Sequence, residues 1–389
     1  MVERTGGEKV GMTSVTAWTP EDLATLDRRG TEIPVIAAAD VVPVLPGQDI
    51  WDVWPLQDED GSVAQIGGGE IWICLAAETR FDPELRHDVA RTRFLFRQGA
   101  VWTDCGNLFP DDLNPGSREW SGSAMLLDDR RTIIAYFTAT GRRGEAEKSF
   151  EQRLFQARGT LAWDGARPVA RDWTEARPLC DADGVQYRDL TQVQMVNGKL
   201  KGFRDPGFFV DPADKRVHLF FAGSMGQSAE DLDGVIGRAE AGGPEGPFLL
   251  AAPVVVAEGV AGELERPHMI VHDGRYYLFW SCHAHVLRPV PADAPTGLYG
   301  MVGDTPAGPF APLNGSGLVL SNPAAEPTQG YCWQVLDTLE VVSFVNYWGL
   351  AGRSVEDPAV KRAQFGGTFA PRLRIALDGA TTTLVSPDR

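Results

Sequence analysis

Three carboxylates stand out by their neighbours. Asp52 lies in the run Trp51-Asp52-Val53-Trp54-Pro55-Leu56, wedged between two tryptophans. Asp205 follows Phe203-Arg204 and precedes Pro206, and Glu265 sits in Glu263-Leu264-Glu265-Arg266-Pro267. Two carboxyls flanking one bond are the equipment of glycoside cleavage through an oxocarbenium-like transition state. One, ionised, attacks or stabilises the anomeric carbon; the other, protonated, donates to the leaving oxygen. Arg204 and Arg266 can hold one carboxylate charged while aromatic packing raises the pKa of another. Each acid alone has a plainer alternative, because an Asp beside an Arg is commonly a surface or turn residue.

Such chemistry needs strands that bring distant residues together. Short β-like runs cover residues 70–77, 92–97, 132–138, 217–222, 275–281 and 339–345, most ending in turn signals such as Asp128-Asp129, Asp211-Pro212 and Asp273-Gly274. Residues 206–221 and 267–280 share one pattern: an apolar run, Asp or His, a short turn, a basic residue, an aromatic run. Their 61-residue offset suits four strands plus loops, the unit of a β-propeller, whose strand ends converge on a central pocket. Asp205 and Glu265 each open one of these runs, so a propeller carries both to its axis. A pair of β-sandwiches remains open on this pattern alone. Helical signals are confined to the N-terminus, where Thr19 caps an expected helix over residues 20–28 with Pro20 at its first position and Glu21-Asp22 behind it.

Composition narrows the partners. The 389 residues carry 36 Lys+Arg against 53 Asp+Glu, a formal net charge of −17, which argues against nucleic acid. No apolar run reaches the length of a membrane span. Eleven tryptophans suit stacking on the flat apolar faces of a ligand. The five cysteines are scattered without a Cys-x-x-Cys pair, so neither a structural zinc site nor a disulfide lattice is expected. Residues 1–30 lack the basic start and apolar stretch of a secretory leader, which points to the cytoplasm or to a non-classical export route.

Taken together, the motifs resemble glycoside hydrolase family 68, the levansucrases, inulosucrases and bacterial β-fructofuranosidases. The resemblance runs over residues 41–385. It rests on Trp-Asp-x-Trp-Pro-Leu at 51–56, Glu-Trp-Ser-Gly-Ser-Ala at 119–124, Phe-Arg-Asp-Pro at 203–206, Glu-x-Glu-Arg at 263–266 and Gly-Ser-Gly-Leu-Val-Leu at 315–320. It implies an all-β, five-bladed propeller with a funnel-shaped central pocket, formed by residues 41–389 behind an N-terminal extension of residues 1–40. It also implies cleavage of sucrose with transfer of the fructosyl unit to water, sucrose or growing fructan.

By the same resemblance Asp52 matches the nucleophile of a covalent fructosyl–enzyme intermediate, Asp205 the transition-state stabiliser and Glu265 the acid/base. Trp51, Trp120 and Ser121 match residues framing the fructosyl site. Arg204 and Glu263 match groups binding the glucosyl unit, Tyr331 a tyrosine near the acid/base, and His283 a position tied to how far polymerisation proceeds. Such a retaining scheme expects nucleophile and acid/base carboxyls roughly 5–5.5 Å apart. Where calcium-binding members carry an Asp, this chain has Gly262; calcium prefers several oxygen ligands, so no metal and no cofactor are expected. The shorter chain is similar to the compact Gram-negative-type branch. Open alternatives are a β-fructofuranosidase that mainly hydrolyses or feeds small acceptors, an inverting arabinanase-like hydrolase, and a non-catalytic carbohydrate-binding propeller.

Overall fold

Runs of β-branched and aromatic residues between Asp, Gly and Pro turns give antiparallel strands almost everywhere, as the sequence pattern expects. The computed structural model describes residues 15–289 and 294–385; the first fourteen residues of the expected extension lie outside them. The two look-alike runs are both hairpins. Phe203–Val210 pairs with Val217–Ser224, and Glu265–His272 pairs with Arg275–Cys282. The second turns on Asp273-Gly274, both at positive φ, the conformation of a two-residue type I′ hairpin.

Each hairpin continues outward into a larger antiparallel sheet. Phe203–Val210, Val217–Ser224, Gly234–Ala241 and Leu249–Val256 follow one another in one sheet, and Glu265–His272, Arg275–Cys282, Gly297–Gly303 and Phe310–Pro312 in the next. Gly330–Val335 opens a sheet with Glu340–Tyr347, Leu373–Asp378 and Thr381–Val385. A ten-stranded sheet is joined in its middle by parallel pairing of Gln48–Asp58 with Arg118–Leu126. The first strands contact one another in a closed circuit: Gln48–Asp58, Arg118–Leu126, Phe203–Val210, Glu265–His272, Gly330–Val335 and back to Gln48–Asp58. The arrangement is all-β and nearly closed, with the core filling the spaces between neighbouring sheets. Trp51, Trp72, Trp280 and Trp333 are wholly buried there, each worth roughly 2–3 kcal/mol relative to exposure.

Every strand of the inner circuit breaks its register once near its start. The shifts fall between Trp51 and Trp54, Trp120 and Gly122, Arg204 and Gly207, Glu265 and His268, and Tyr331 and Gln334. Asp52, Asp205, Arg266 and Cys332, one in each of four of these breaks, have φ between 48° and 62°. A left-handed backbone at a non-glycine residue costs on the order of 1–3 kcal/mol and persists only where surrounding structure enforces it. Bulges of this kind re-aim a side chain out of the regular alternation of a strand.

The N-terminal segment is shorter in its helix than expected. It spans Pro20–Ala24, held by the reciprocal Thr19/Asp22 capping box, and does not reach residue 28. The chain leaves it to pair with the sheet: Ile33 N–H donates to Ser321 O (2.9 Å). Before the helix, Thr16–Ala17 adds a parallel strand to Leu249–Val256, and the Trp18 ring packs edge-on against Trp280. Four short helical turns among the described residues had no counterpart in the sequence reading, the longest being the 3-10 turn Pro83–Asp88 and the helix Pro358–Gln364. These two longest start with Asp then Pro, a legible N-terminal signal too short to register as periodicity.

Candidate active site

The bulged ends of the inner strands surround a cavity of about 330 Å³. Asp52, Asp205, Glu263, Glu265, Arg204, Trp120 and Ser121 all line it, so residues more than two hundred positions apart share one wall. Proline at 206 and 267 follows each acid directly or after one Arg, and the bulge at each site turns the carboxylate toward the axis.

Ser121 Oγ donates to Asp52 Oδ2 (2.5 Å), which fixes that carboxylate and leaves its second oxygen to the cavity. Thr138 links two strands behind it: its hydroxyl donates to Ser121 O (2.9 Å) and accepts from Asp205 N–H (2.9 Å). Arg204 is the central cation. Its Nη2 reaches Glu263 Oε2 at 2.7 Å and Glu265 Oε1 at 2.9 Å, and its Nε lies 3.7 Å from Asp205 Oδ2. The Tyr331 hydroxyl donates to the other Glu265 oxygen. Arg266 N–H approaches Asp205 Oδ2 at 3.4 Å, while its guanidinium lies 4.9 Å over the Trp54 ring.

Burial and charge then separate the acids. Burial pushes Asp205 up to about 7, against the pull of Arg204 and with the push of Glu265. Burial likewise pushes Glu263 up to about 7, Arg204 opposing. Glu265 feels the same burial, yet Arg204, the His283 ring and Tyr331 together hold it below the usual carboxylate range. Three buried acids around one guanidinium thus hold protons unequally, the environment from which acid and base roles are drawn.

Not every expected residue faces the cavity. Trp51 is wholly buried behind the wall, edge-on to His87 at 5.3 Å between ring centres. Tyr331 is 5% exposed and meets the site through its hydroxyl alone. His283 stacks on the Tyr331 ring with 3.4 Å between centres, behind Glu265. Trp54 packs under Arg266.

Other lining residues escaped the sequence reading. His87 comes from the Pro83–Asp88 turn and accepts Trp120 Nε1–H on its carbonyl (3.2 Å). Burial and the neighbouring Arg86 push its imidazole well below its ordinary pKa, so it is neutral. Glu84, Leu85, Asp88, Phe150, Leu200 and Cys332 also line the wall, Cys332 from an inner-strand bulge. Beside Gly262 the structure sets a buried ammonium. Lys201 Nζ donates to Asp233 Oδ1 (2.7 Å) and Asp231 O (3.0 Å), and Arg188 meets the other Asp233 oxygen at 3.0 Å. An alanine methyl at 262 would sit 3.5 Å from that same Asp231 carbonyl.

Known proteins resemble this chain in sequence and in fold. The Levansucrase/Invertase model of glycoside hydrolase family 68 matches residues 9–248 and 229–387. Levansucrase LscA of Pseudomonas savastanoi pv. glycinea is 31% identical over 371 residues, covering 85% of this chain and 84% of that protein. An inulosucrase from Halalkalicoccus jeotgali, solved with kestose bound, superposes with a TM-score of 0.88 at 36% identity over 95% of both chains. Bacillus subtilis levansucrase shares the fold, with a TM-score of 0.80 at 20% identity over 97% and 96% of the chains. The family model matching across the chain, the sequence relatives and the shared architecture place this chain in glycoside hydrolase family 68, the levansucrase/invertase family.

Proposed function

We propose that this protein is a levansucrase-type fructosyltransferase that cleaves sucrose with retention and passes the fructosyl unit to sugars or fructan, with competing hydrolysis. The observation that carries the reading is the single cavity lined by Asp52, Asp205 and Glu265, with Asp52 held by Ser121 and Glu265 by Arg204 and Tyr331. Asp52 attacks the anomeric carbon of the fructosyl unit through its free oxygen. Glu265 protonates the departing glucosyl oxygen and later removes a proton from the acceptor. Asp205 bonds fructosyl hydroxyls as positive charge builds on the ring. A glucosyl hydroxyl that engages Arg204 and Glu263 draws the guanidinium off Glu265, and the release lets Glu265 take up the proton it must donate. Trp120 and the neutral His87 form the apolar side of the fructosyl pocket, with Trp51 as backing. Tyr331 and the stacked His283 position Glu265.

The architecture proposed with this function is a five-bladed propeller over residues 41–389. The ten-stranded sheet is two four-stranded blades joined by their inner strands, and the closed circuit of first strands supports that count. Residues 15–40 strap its outside. No part of the cycle draws on a metal or cofactor.

Incubation with sucrose, followed by joint quantification of glucose, fructose and oligomers, tests the reading. Glucose in excess of free fructose is expected; equal amounts with no oligomer identify a hydrolytic β-fructofuranosidase, and no release of either sugar overturns the assignment.

A further inference from the structure

Far from the catalytic cavity, the turn between Phe203–Val210 and Val217–Ser224 carries a second cluster of ligating groups. Asp211, Asp214 and His218 each offer one atom, and these three atoms lie within 4.8 Å of one another. Acidic turns are common, and the cluster alone would carry nothing. His218 is the separate observation. It is 3% exposed, and among the described residues neither ring nitrogen has a hydrogen-bond partner. Buried polar atoms are nearly always paired, so an imidazole with two orphaned nitrogens beside two carboxylates marks a missing partner.

The surroundings are those of a ligand cage. One oxygen of each carboxylate is already engaged. Asp211 Oδ1 accepts from Tyr276 OH (2.8 Å) and Ala213 N–H (2.9 Å), and Asp214 Oδ1 accepts from Arg216 N–H (2.9 Å). Each Oδ2 is left free, its orientation set by the donors on its twin; such outer contacts orient the ligands of real metal sites. The turn is closed by Asp211 N–H to Arg216 O (2.9 Å) and Lys215 N–H to Asp211 O (2.8 Å), and the His218 backbone is fixed between Phe209 and Glu240 in the sheet. The two nearby guanidiniums, of Arg216 and Arg238, are both engaged by Glu240 (2.9 Å each). Glu240 Oε2, the oxygen that holds Arg238, lies 3.9 Å from His218 Nδ1 and adds negative charge beside the cluster.

We propose that Asp211, Asp214 and His218 form a binding site for a divalent transition cation, zinc by preference, at the outer turn of this hairpin. One imidazole with two carboxylates suits zinc and its neighbours better than calcium or magnesium, which favour all-oxygen cages. Bonds of about 2.1 Å in a tetrahedron put ligand atoms roughly 3.4 Å apart. Closure from 4.8 Å is supplied by rotation of the exposed Asp214 side chain. An ion here ties the turn to the strand carrying His218 and to Tyr276 of the neighbouring sheet, a fastening remote from the sucrose chemistry.

The test titrates zinc chloride into the tag-free, chelator-stripped protein against a chromogenic zinc chelator. One zinc per chain is expected, weakened at least tenfold in D214N and lost as a stoichiometric site in H218Q, with sucrose cleavage by D214N within twofold of the parent. Should the buried H218Q fail to fold, D214N and Y276F carry the test, since Asp214 is exposed and Tyr276→Phe removes one hydroxyl that orients Asp211. A cobalt(II) spectrum of the parent should show intense visible bands that D214N diminishes. No stoichiometric zinc in the parent, or unchanged affinity in both D214N and Y276F, overturns the proposal.

Discussion

At one end of the inner strands a cavity of about 330 Å³ gathers Asp52, Asp205, Glu263 and Glu265. At the other end a cavity of about 620 Å³ gathers Asp58, Glu59, Asp60, Asp128 and Asp337. The second is nearly twice as large and carries five carboxylates against six in the first, whose wall also includes Glu84 and Asp88. What separates them is how the acids are held. Asp60, Asp128 and Asp337 are exposed residues of turns, and Asp58 pairs with the exposed Arg130. Their charges are solvated, and such pairs contribute little. Asp205 is 6% exposed, and Glu263 and Glu265 meet the cavity through 17% of their side chains while sharing one buried guanidinium. The bulges lie at this end of the inner strands; the other ends of Phe203–Val210 and Glu265–His272 keep regular pairing into their turns. Volume therefore does not mark the reactive mouth, and a difference of one acid is too small to do so. Buried carboxylates aimed by strained backbone, unequal in proton affinity, do.

The sharpest way to break this contrast is to remove an acid at each mouth. Asp52→Ala and Glu265→Gln should each lower kcat by about 10⁴-fold or more, whereas Asp58→Ala should leave sucrose turnover within twofold. Comparable losses at both mouths would erase the distinction. Glu265→Gln should also regain rate with a fructosyl donor whose leaving group needs no protonation, measured as initial rates on both donors.

Much of the reactive mouth was legible in the sequence. The Trp-Asp, Arg-Asp-Pro and Glu-x-Glu-Arg runs named the three acids, and the two look-alike hairpins named the strands beneath Asp205 and Glu265. What was not legible depends on three dimensions. Thr138 sits in an ordinary β run, yet ties Ser121 to Asp205. His87 lies in a six-residue 3-10 turn that no periodicity announces. The family resemblance sets Trp51 at the fructosyl site. The bulge between it and Trp54 sends Asp52 to the cavity and both rings to the interior, where Trp51 is wholly buried. A period-two reading cannot foresee a register break. The positive φ of Asp52 and Asp205 falls on residues that tolerate it better than most, a weak signal in hindsight.

Removing single hydrogen bonds sharpens the same contrast. Ser121→Ala and Tyr331→Phe each delete one bond to a carboxylate at the reactive mouth, and each should cost roughly 10–100-fold in kcat. Arg130→Ala, at the opposite mouth, should cost less than twofold. Glu263→Gln leaves Arg204 with one carboxylate fewer to hold, so the guanidinium stays on Glu265 and kcat should fall by roughly 10–100-fold, read from initial rates.

Proton linkage gives a smaller but telling signature. Asp205 is pushed up to about 7 in the folded protein, above the roughly 3.9 of an unfolded Asp. Between those values the folded state binds the extra proton, so its contribution to stability is present below about pH 4 and is lost as pH rises to 7. Asp205→Asn should consequently raise the unfolding free energy at pH 7.5 by an amount on the order of 2 kcal/mol, with a higher melting temperature, and show little gain at pH 4.5. Asp128→Asn, on an exposed turn, should change stability by less than about 0.5 kcal/mol at either pH. Thermal melts of both variants at the two pH values check this.

The central claim is that Asp52, from the bulged end of the first inner strand, forms the covalent bond to fructose. Glu265→Gln, given a fructosyl donor that needs no protonation, should accumulate that intermediate because its acceptor cannot be deprotonated. Acid quench, proteolysis and mass spectrometry should find one anhydrofructosyl unit on the peptide containing Asp52. The unit attached to the peptide of Asp205, or no adduct while the donor turns over, would contradict the account.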